Sequence, residues 1–465
     1  MKKVINFIII TIFLLEIRFF YLIKMPTQIE KFNNYHNKMI ITLLIIILLI
    51  LILFWEIIIP LKQKVKYNKK IIKSFYEELN KLFIYNKYMV IFLIIWLIQF
   101  IYSYFMYKEG LTNLISASYH YIIILFYYSL MIYFKKYNGY EKILHIMVIS
   151  SLILSFLFVL QSLIYSTNVI YENGKIINNN KEFLLNIFEF TSRIHKIRFR
   201  DGGVRLTFPA TLISFSIIIS FYRLLIAKFK IKKSIIDVIN IIISFIYLIK
   251  VCQTRVLTIT ILLSVVIMVL INYSSNIYKI IVNNKYVIKL RNIKNKKLIL
   301  SLMTIIFILY IISSNLIGKV LSFFDYSSGS VYARVEGIIY YLSFFKQSPI
   351  NFMGFVNGAN NFTNEILHGK QGYLYTTDIG ILGELAILGV LGFIWYVALV
   401  IKMIKLCYYK NENGKYVYIN INTGMVAFIL LSSLTLIVLN SQRIILLPII
   451  LSIVEYNYRS RVERR

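Results

Sequence analysis

The residues best suited to chemistry in this chain are five arginines in or beside its polar segments. They are Arg198, Arg200, Arg205, Arg255 and Arg334. A guanidinium group presents a planar fork of N–H donors that matches the oxygens of a phosphate group. We therefore predict that the first four bind a diphosphate or an acidic sugar. The alternatives are a solvated loop for the first three and, for Arg255, an arginine that reaches from a span end to the membrane interface.

Groups that could transfer a proton lie in a second polar stretch, residues 318–376, and just after it. His368 is the first candidate for a general base, because imidazole is the side chain that titrates nearest neutrality. Asp378 and Glu336 are the other candidates, and a solvated loop histidine is the non-functional interpretation of His368. Glu384 follows within an apolar run, where a carboxylate is costly and is usually functional or paired.

The elements that hold these residues belong to a membrane protein. Hydrophobic residues make up 59% of the 465-residue chain, and the mean hydropathy is +0.72. A soluble protein could not bury that much apolar surface. The apolar residues form runs of about 20, the length that crosses a ~30 Å hydrocarbon core as a helix. We predict an all-α fold: one polytopic integral membrane domain over 1–465, with about twelve transmembrane helices.

The orientation follows from the lysines and arginines between the apolar runs. The predicted spans are 4–23, 39–59, 88–107, 114–134, 143–165, 204–226, 235–250, 256–273, 298–317, 377–401, 418–439 and 443–456. One set of connections holds 32 Lys and Arg residues and the alternate set holds 17. Because positive loops stay in the cytoplasm, both termini are predicted to be cytoplasmic, in a bacterial cytoplasmic membrane. The long loops 166–203 and 318–376 are then extracytoplasmic.

The large positive charge and the few cysteines exclude two kinds of site. The net charge of +32 comes from lysines in short loops, so it indicates membrane orientation rather than nucleic-acid binding. Cys252 and Cys407 fall on opposite sides of the predicted topology, and no Cys/His cluster has the spacing of a metal site. We therefore expect no metal and no cofactor.

The outer loop 318–376 has internal structure of its own. From Arg334 onward, apolar residues recur with helical spacing at Val335, Ile338, Leu342 and Phe345. This pattern predicts a short amphipathic helix that lies on the membrane and ends before Pro349. Glycines in the tenth predicted span are spaced for close helix packing.

The order of these elements resembles the bacterial superfamily of O-antigen ligases and O-antigen or capsular repeat-unit polymerases. The shared pattern is an Arg-led helix, Pro-Ile-x-x-x-Gly, a His, and Leu-x-x-x-Asp-Ile-Gly-x-x-Gly. It is represented here by Arg334, Pro349-Ile350, Gly354, His368, Leu374, Asp378, Gly380 and Gly383. Thr254-Arg255 and Arg205 with Pro209 resemble two further family motifs. The resemblance covers roughly 190–400 and departs at Gly369, where the family commonly has Ser or Asn.

The resemblance implies a substrate and a reaction. The substrate would be an oligosaccharide on undecaprenyl diphosphate, and repeat units would be joined at the outer face of the membrane. Arg334, His368, Asp378 and Glu336 would be catalytic, and the other four arginines would bind the diphosphate. The partners implied are the lipid bilayer, a chain-length regulator and a flippase.

Three rival functions stay open. A ligase of the same superfamily would transfer finished polysaccharide to another acceptor. A transporter or flippase for the same lipid-linked units would show broken helices or charges near the membrane midplane. A glycosyltransferase using a polyprenyl-phosphate sugar commonly has acidic residues in its first outer loop, and residues 24–38 contain only Glu30.

Overall fold

The computed structural model describes most of the chain outside four long stretches. The described residues are 2–17, 27–55, 79–167, 169–172, 175–178, 197–200, 203–206, 210–226, 231–252, 254–283, 329–347, 368–369, 374, 376–412, 414, 416–436, 438–441 and 443–463. These residues are mostly helical. The predicted span 298–317, and most of the loop 166–203, lie outside them.

The first part of the fold is a series of helices joined by short turns. They are α1 (Lys2–Glu16), α2 (Thr27–Leu53), α3 (Asn86–Met106), α4 (Leu111–Ser118), α5 (Phe126–Tyr137) and α6 (Tyr140–Thr167). A 3-10 segment, Tyr119–Leu125, joins α4 to α5 without a break. Asn138, in the left-handed region at φ 51°, ends α5 and lets the chain turn into α6.

The second part continues with helices and includes the predicted outer-loop helix. They are α7 (Thr211–Ile226), α8 (Ile231–Ile246), α9 (Arg255–Asn283), α10 (Gly329–Gln347), α11 (Ile381–Lys405), α12 (Asn420–Ser433) and α13 (Leu446–Val462). A π-helical turn, Tyr247–Val251, follows α8, and a 3-10 turn, Thr376–Asp378, precedes α11.

Three antiparallel hairpins accompany the helices in the described part of the chain, so the expectation of an all-α chain is corrected in detail. They are β1 (Val169–Glu172) with β2 (Lys175–Asn178), β3 (Ile197–Arg200) with β4 (Gly203–Leu206), and β5 (Tyr408–Lys410) with β6 (Tyr416–Tyr418). The predicted start of span 204–226 is therefore wrong. Residues 204–206 are extended in β4, and the helix begins at Thr211, beyond Pro209, which cannot donate a ladder hydrogen bond.

Among the residues that the structure describes, four helical stretches are long and apolar enough to cross a membrane. They are Asn86–Met106, Leu111–Tyr137, Tyr140–Leu160 and Ile381–Lys405. They correspond to the third, fourth, fifth and tenth predicted spans. The total of twelve stays a prediction, as do the side on which each terminus lies and the type of membrane.

Small and polar side chains bring the helices together. A Cβ at Gly424 of α12 would lie 3.0 Å from Met268 Sδ of α9 and 3.2 Å from Ile218 Cγ2 of α7, so these helices pack closely at that point. Asn240 of α8 donates to Ser216 Oγ (3.2 Å) and Ser220 Oγ (3.0 Å) of α7. Small residues and hydrogen bonds of this kind replace the hydrophobic effect inside a membrane.

Helix α11 is broken near its middle. Gly389 has φ 67° and ψ −174°, outside the helical region, and marks a kink between two helical parts. The Gln99 side chain of α3 donates to the carbonyl oxygen of Ile387, and Trp395 Nε1 donates to Tyr88 O at 2.8 Å. Helix α3 thus satisfies an acceptor at the break and holds α11 on both sides of it.

Candidate functional site

The β3–β4 hairpin gathers the first arginine cluster. Its register places Arg198 opposite Arg205 and Arg200 opposite Gly203. Alternate residues of a strand belong to the same face, and directly opposite residues of a pair do too. Arg198, Arg200 and Arg205 therefore share one face of the hairpin.

The hairpin lies against the turn that leads to the fourth predicted diphosphate ligand. Strand β4 contacts α6 and the π-helical turn that ends at Val251. The Thr254 N–H bonds to Leu248 O at 3.2 Å, which folds the chain back over that turn, and Arg255 is the first residue of α9. The fold thus brings the Arg205 strand against the turn that ends four residues before Arg255, and a shared phosphate contact stays a prediction. The amino end of α9 adds the partial positive charge of a helix terminus.

Helix α10 packs against the residues that lead into α11 and against its first turns. Tyr341, Ile379 and Ala386 form a small buried cluster, and a Cβ at Gly337 would lie 3.3 Å from Ile379 Cγ2. The predicted helix is present and ends before Pro349, but it begins at Gly329 rather than at Arg334, and its position on the membrane stays a prediction. Its packed face includes Ile338 of the predicted apolar stripe, whereas Leu342 of that stripe is exposed.

Arg334 lies on the packed side of α10. It is one turn before Gly337 and two turns before Tyr341, so helix geometry puts the three in one row that faces the Ile379 segment. Its side chain is half-buried. Glu336 lies off this row, and its carboxylate accepts a hydrogen bond from the Tyr332 hydroxyl. The structure therefore brings Arg334 to the site and gives Glu336 a partner within its own helix.

His368 is fixed by a reciprocal pair of hydrogen bonds with Leu374. Its Nδ1 lies 3.0 Å from Leu374 O, and the Leu374 N–H bonds to His368 O at 3.1 Å. A carbonyl only accepts, so Nδ1 is the donor and Nε2 of a neutral ring is the acceptor. Gly369 has φ 69°, and a Cβ there would lie 2.8 Å from Leu374 Cδ1, which explains why glycine follows the histidine.

Asp378 lies at the end of the 3-10 turn that opens α11. The same short segment contains Leu374, which holds His368, and Ile379, which holds α10. Gly380, at φ 58°, caps α11, and its carbonyl accepts the N–H groups of Gly383 (2.8 Å) and Glu384 (3.2 Å). The structure therefore collects Arg334, His368 and Asp378 around one stretch of chain, residues 374–380.

Glu384 of α11 and Arg443, from the segment between α12 and α13, are two further charged residues near this group. Glu384 is 1% exposed, and its Oε1 accepts the Leu439 N–H at 2.9 Å. His120 of the 3-10 segment also hydrogen-bonds to the backbone of Leu439. Arg443 interacts electrostatically with both Asp378 and Glu384. Arg443 was not among the residues predicted from the sequence, where a lone arginine in a short connection between apolar runs was the available signal.

The predicted residues thus form two groups in the described part of the fold. The hairpin group contains Arg198, Arg200, Arg205 and Arg255. The α11 group contains Arg334, His368, Asp378 and the unpredicted Arg443, with Glu336 at its edge. No cluster of three metal-ligating side chains occurs among the described residues.

Comparisons with protein-family models, with curated proteins and with solved structures find no match to this chain.

Proposed function

We propose that the protein is a membrane glycosyltransferase that joins undecaprenyl-diphosphate-linked oligosaccharide repeat units into a polysaccharide. The observation that most supports this proposal is the shared face of the β3–β4 hairpin. Arg198 opposite Arg205 puts like charges in direct register, which destabilises an isolated hairpin. A bound diphosphate removes that repulsion, and its oxygens fit guanidinium donors.

The α11 group supports the chemical step of the proposal. The acceptor sugar hydroxyl attacks the anomeric carbon of the donor, and the bond from that carbon to the diphosphate oxygen breaks. His368 is the base we propose for the hydroxyl proton, because its Nδ1 bond to Leu374 O directs the basic lone pair to Nε2. Undecaprenyl diphosphate leaves with the electron pair, and the arginines stabilise its charge.

The proposal is tested with purified protein and a lipid-linked repeat unit. We expect a ladder of products whose lengths are multiples of the unit. Unchanged single units would overturn the proposal. In cells, a polymerase mutant keeps single repeat units, whereas a ligase mutant accumulates long lipid-linked polymer, so the chain-length profile of a deletion strain separates these two functions.

The hairpin makes a specific prediction of its own. Arg198→Ala should raise the KM for the lipid-linked unit by about 10- to 100-fold, since a hydrogen bond to a charged group contributes roughly 1.5–3 kcal/mol. The thermal stability of the ligand-free protein should stay the same or rise, because one of two opposed charges is gone.

The control for this prediction is Lys175→Ala. Lys175 is a basic residue of the β1–β2 hairpin, where it lies opposite Glu172 rather than another cation. Its replacement should leave the KM close to that of the wild type. Equal KM values for wild type and Arg198→Ala would show that the hairpin does not bind the diphosphate.

A flippase or transporter for lipid-linked units is the second candidate, and the break in α11 favours it. Transporters bind substrates where helices are discontinuous and contain intramembrane charges. Gly389 interrupts α11, and Glu384 is buried in the same helix. Proteoliposomes that move a labelled lipid-linked unit between leaflets without lengthening it would establish this function and exclude the polymerase.

A further inference from the structure

The β5–β6 hairpin connects two apolar helices directly. Helix α11, which is long and apolar enough to cross a membrane, ends at Lys405, and β5 begins at Tyr408. Strand β6 ends at Tyr418, and the apolar helix α12 begins at Asn420. Ile404, in the last turn of α11, is still 40% exposed, as expected of a side chain beside lipid. Because so few residues separate the strands from these helices, a bilayer around the helices ends at the level of the hairpin.

The base of the hairpin is fixed to three helices. The buried Asn422 of α12 donates two hydrogen bonds from its side-chain amide, to Leu406 O after α11 and to Val454 O of α13, each at 2.9 Å. The Ile419 N–H bonds to Cys407 O at 2.7 Å and continues the pairing of the two strands. Strand β6 also contacts α9, and β5 contacts α13. The orientation of the hairpin relative to the helices is therefore set by the packing of its base.

One face of the hairpin presents aromatic rings and a cation. Tyr408 pairs with Tyr418, and Lys410 pairs with Tyr416. Alternate and directly opposite residues of a hairpin share a face, so these four residues form one surface, here called the tyrosine face. Tyr416 is 58% exposed and Tyr418 is 43% exposed. The Tyr408 ring packs against both, with centroid distances of 5.4 Å and 6.0 Å, and Lys410 Nζ lies 5.3 Å from the centroid of the Tyr416 ring.

The composition of the tyrosine face suits the headgroup layer of a bilayer. A tyrosine combines an apolar ring with a hydroxyl group that stays hydrated, and tyrosines are enriched where hydrocarbon meets water. The charges on and beside the face are mainly positive: Lys410 on the face and Lys402 and Lys405 in the last turn of α11, with Glu412 in the turn of the hairpin. Cations near a membrane surface attract anionic lipid headgroups.

We propose that the tyrosine face binds anionic phospholipid headgroups of the leaflet at the carboxyl end of α11, which is the cytoplasmic leaflet in the predicted orientation. Tyr416 and Tyr418 place their rings beside the first carbons of the acyl chains, and Lys410 binds phosphate oxygens. Because the base of the hairpin is fixed, this contact also sets how deeply α11 and α12 sit in the bilayer. The inference does not depend on the proposed glycosyltransferase activity.

The experiment uses full-length protein in phosphatidylcholine vesicles that contain a minor fraction of phosphatidylglycerol. Tyr416→Cys carries a thiol-reactive fluorophore, and the native Cys252 and Cys407 are buried, so the label attaches at position 416. The quencher is a nitroxide near the headgroup end of an acyl chain of either lipid. At equal nitroxide content, phosphatidylglycerol should quench about fivefold more strongly than phosphatidylcholine, and Lys410→Ala should lower this ratio to below about twofold.

Arg461→Cys with the same label is the matched control. Asn422 holds Val454 of α13 level with the end of α11. Arg461 is exposed and follows Val454 by two helical turns, about 10 Å further along α13 and away from the bilayer. Its label should be quenched weakly by both lipids. Tyr418→Cys is a second reporter on the tyrosine face and decides the test if Tyr416→Cys does not fold.

Quenching on the tyrosine face that is no stronger than at position 461 would overturn the inference. Self-quenching between labelled copies, without quenching by lipid, would show that a second copy of the chain covers the face and would overturn it too. Equal quenching by the two lipids would overturn the selection of anionic headgroups. Each result is independent of whether the protein makes polymer, so it leaves the proposed function to its own test.

Discussion

Arg334→Ala should abolish chain elongation while the protein still inserts into the membrane. Removal of one charge-stabilising donor from an active site typically costs about 10²–10³-fold in rate, and polymer growth multiplies this loss over many rounds. The expectation rests on the position of Arg334, half-buried on the side of α10 that packs against Ile379. It is measured by the polymer length in cells and by kcat with a lipid-linked unit.

Two variants show whether the loss comes from the guanidinium group or from damage to the helix. Arg334→Lys should retain a small part of the activity, because a lysine keeps the charge but offers no planar fork. Lys346→Ala removes a positive charge from the other end of the same helix and should elongate normally. Long polymer in cells with Arg334→Ala would show that other residues stabilise the transition-state charge and that α10 takes no part in the reaction.

The long apolar helices could be predicted closely from the sequence. The span predicted at 88–107 is observed as Asn86–Met106, and the one predicted at 143–165 lies within Tyr140–Thr167. A hydrocarbon core demands a fixed length of helix with every backbone group bonded internally, so composition alone sets such segments. The helix after Arg334 was also predictable, because Pro349 limits its end.

The start of the sixth span was not predictable in the same way. The residues around Arg205 are apolar enough to extend a helix, but the structure uses them in β4. Pairing with β3 depends on a contact between two strands, which a local count of hydropathy does not include. Gly203 opposite Arg200 and Pro209 before the helix were the signals against a longer helix.

The sequence indicated Arg334, His368 and Asp378 as site residues, but not Arg443. Asp378 belongs to the short stretch from Leu374 to Gly380 that hydrogen-bonds His368 and packs against α10, the helix that contains Arg334. Arg443 is distant in sequence, and its segment comes near the α11 cap only through the packing of Ser433 and Leu434 against Gly380. Charge pairs formed across such a tertiary contact leave no periodic pattern in the sequence.

Gly380→Ala should be among the most damaging single changes in the described part of the chain. Gly380 has φ 58°, which costs an alanine roughly 1–3 kcal/mol in backbone strain. The added Cβ would also meet Ser433 O at 2.3 Å and the Leu434 carbonyl carbon at 2.5 Å, and both are backbone atoms. Overpacking of this kind adds about 1–3 kcal/mol. We expect a drop of several degrees in Tm and loss of polymer.

Gly414→Ala separates the cost of backbone strain from the cost of steric overlap. Gly414 also has a positive φ, 72°, but nothing lies within 4 Å of the Cβ position, so only the backbone strain applies. Its effect on Tm should be the smaller of the two, and elongation should continue. If Gly380→Ala were no more destabilising than Gly414→Ala, the α11 cap would not press against residues 433–434. The turn that contains Asp378 would then not be held against the end of α12.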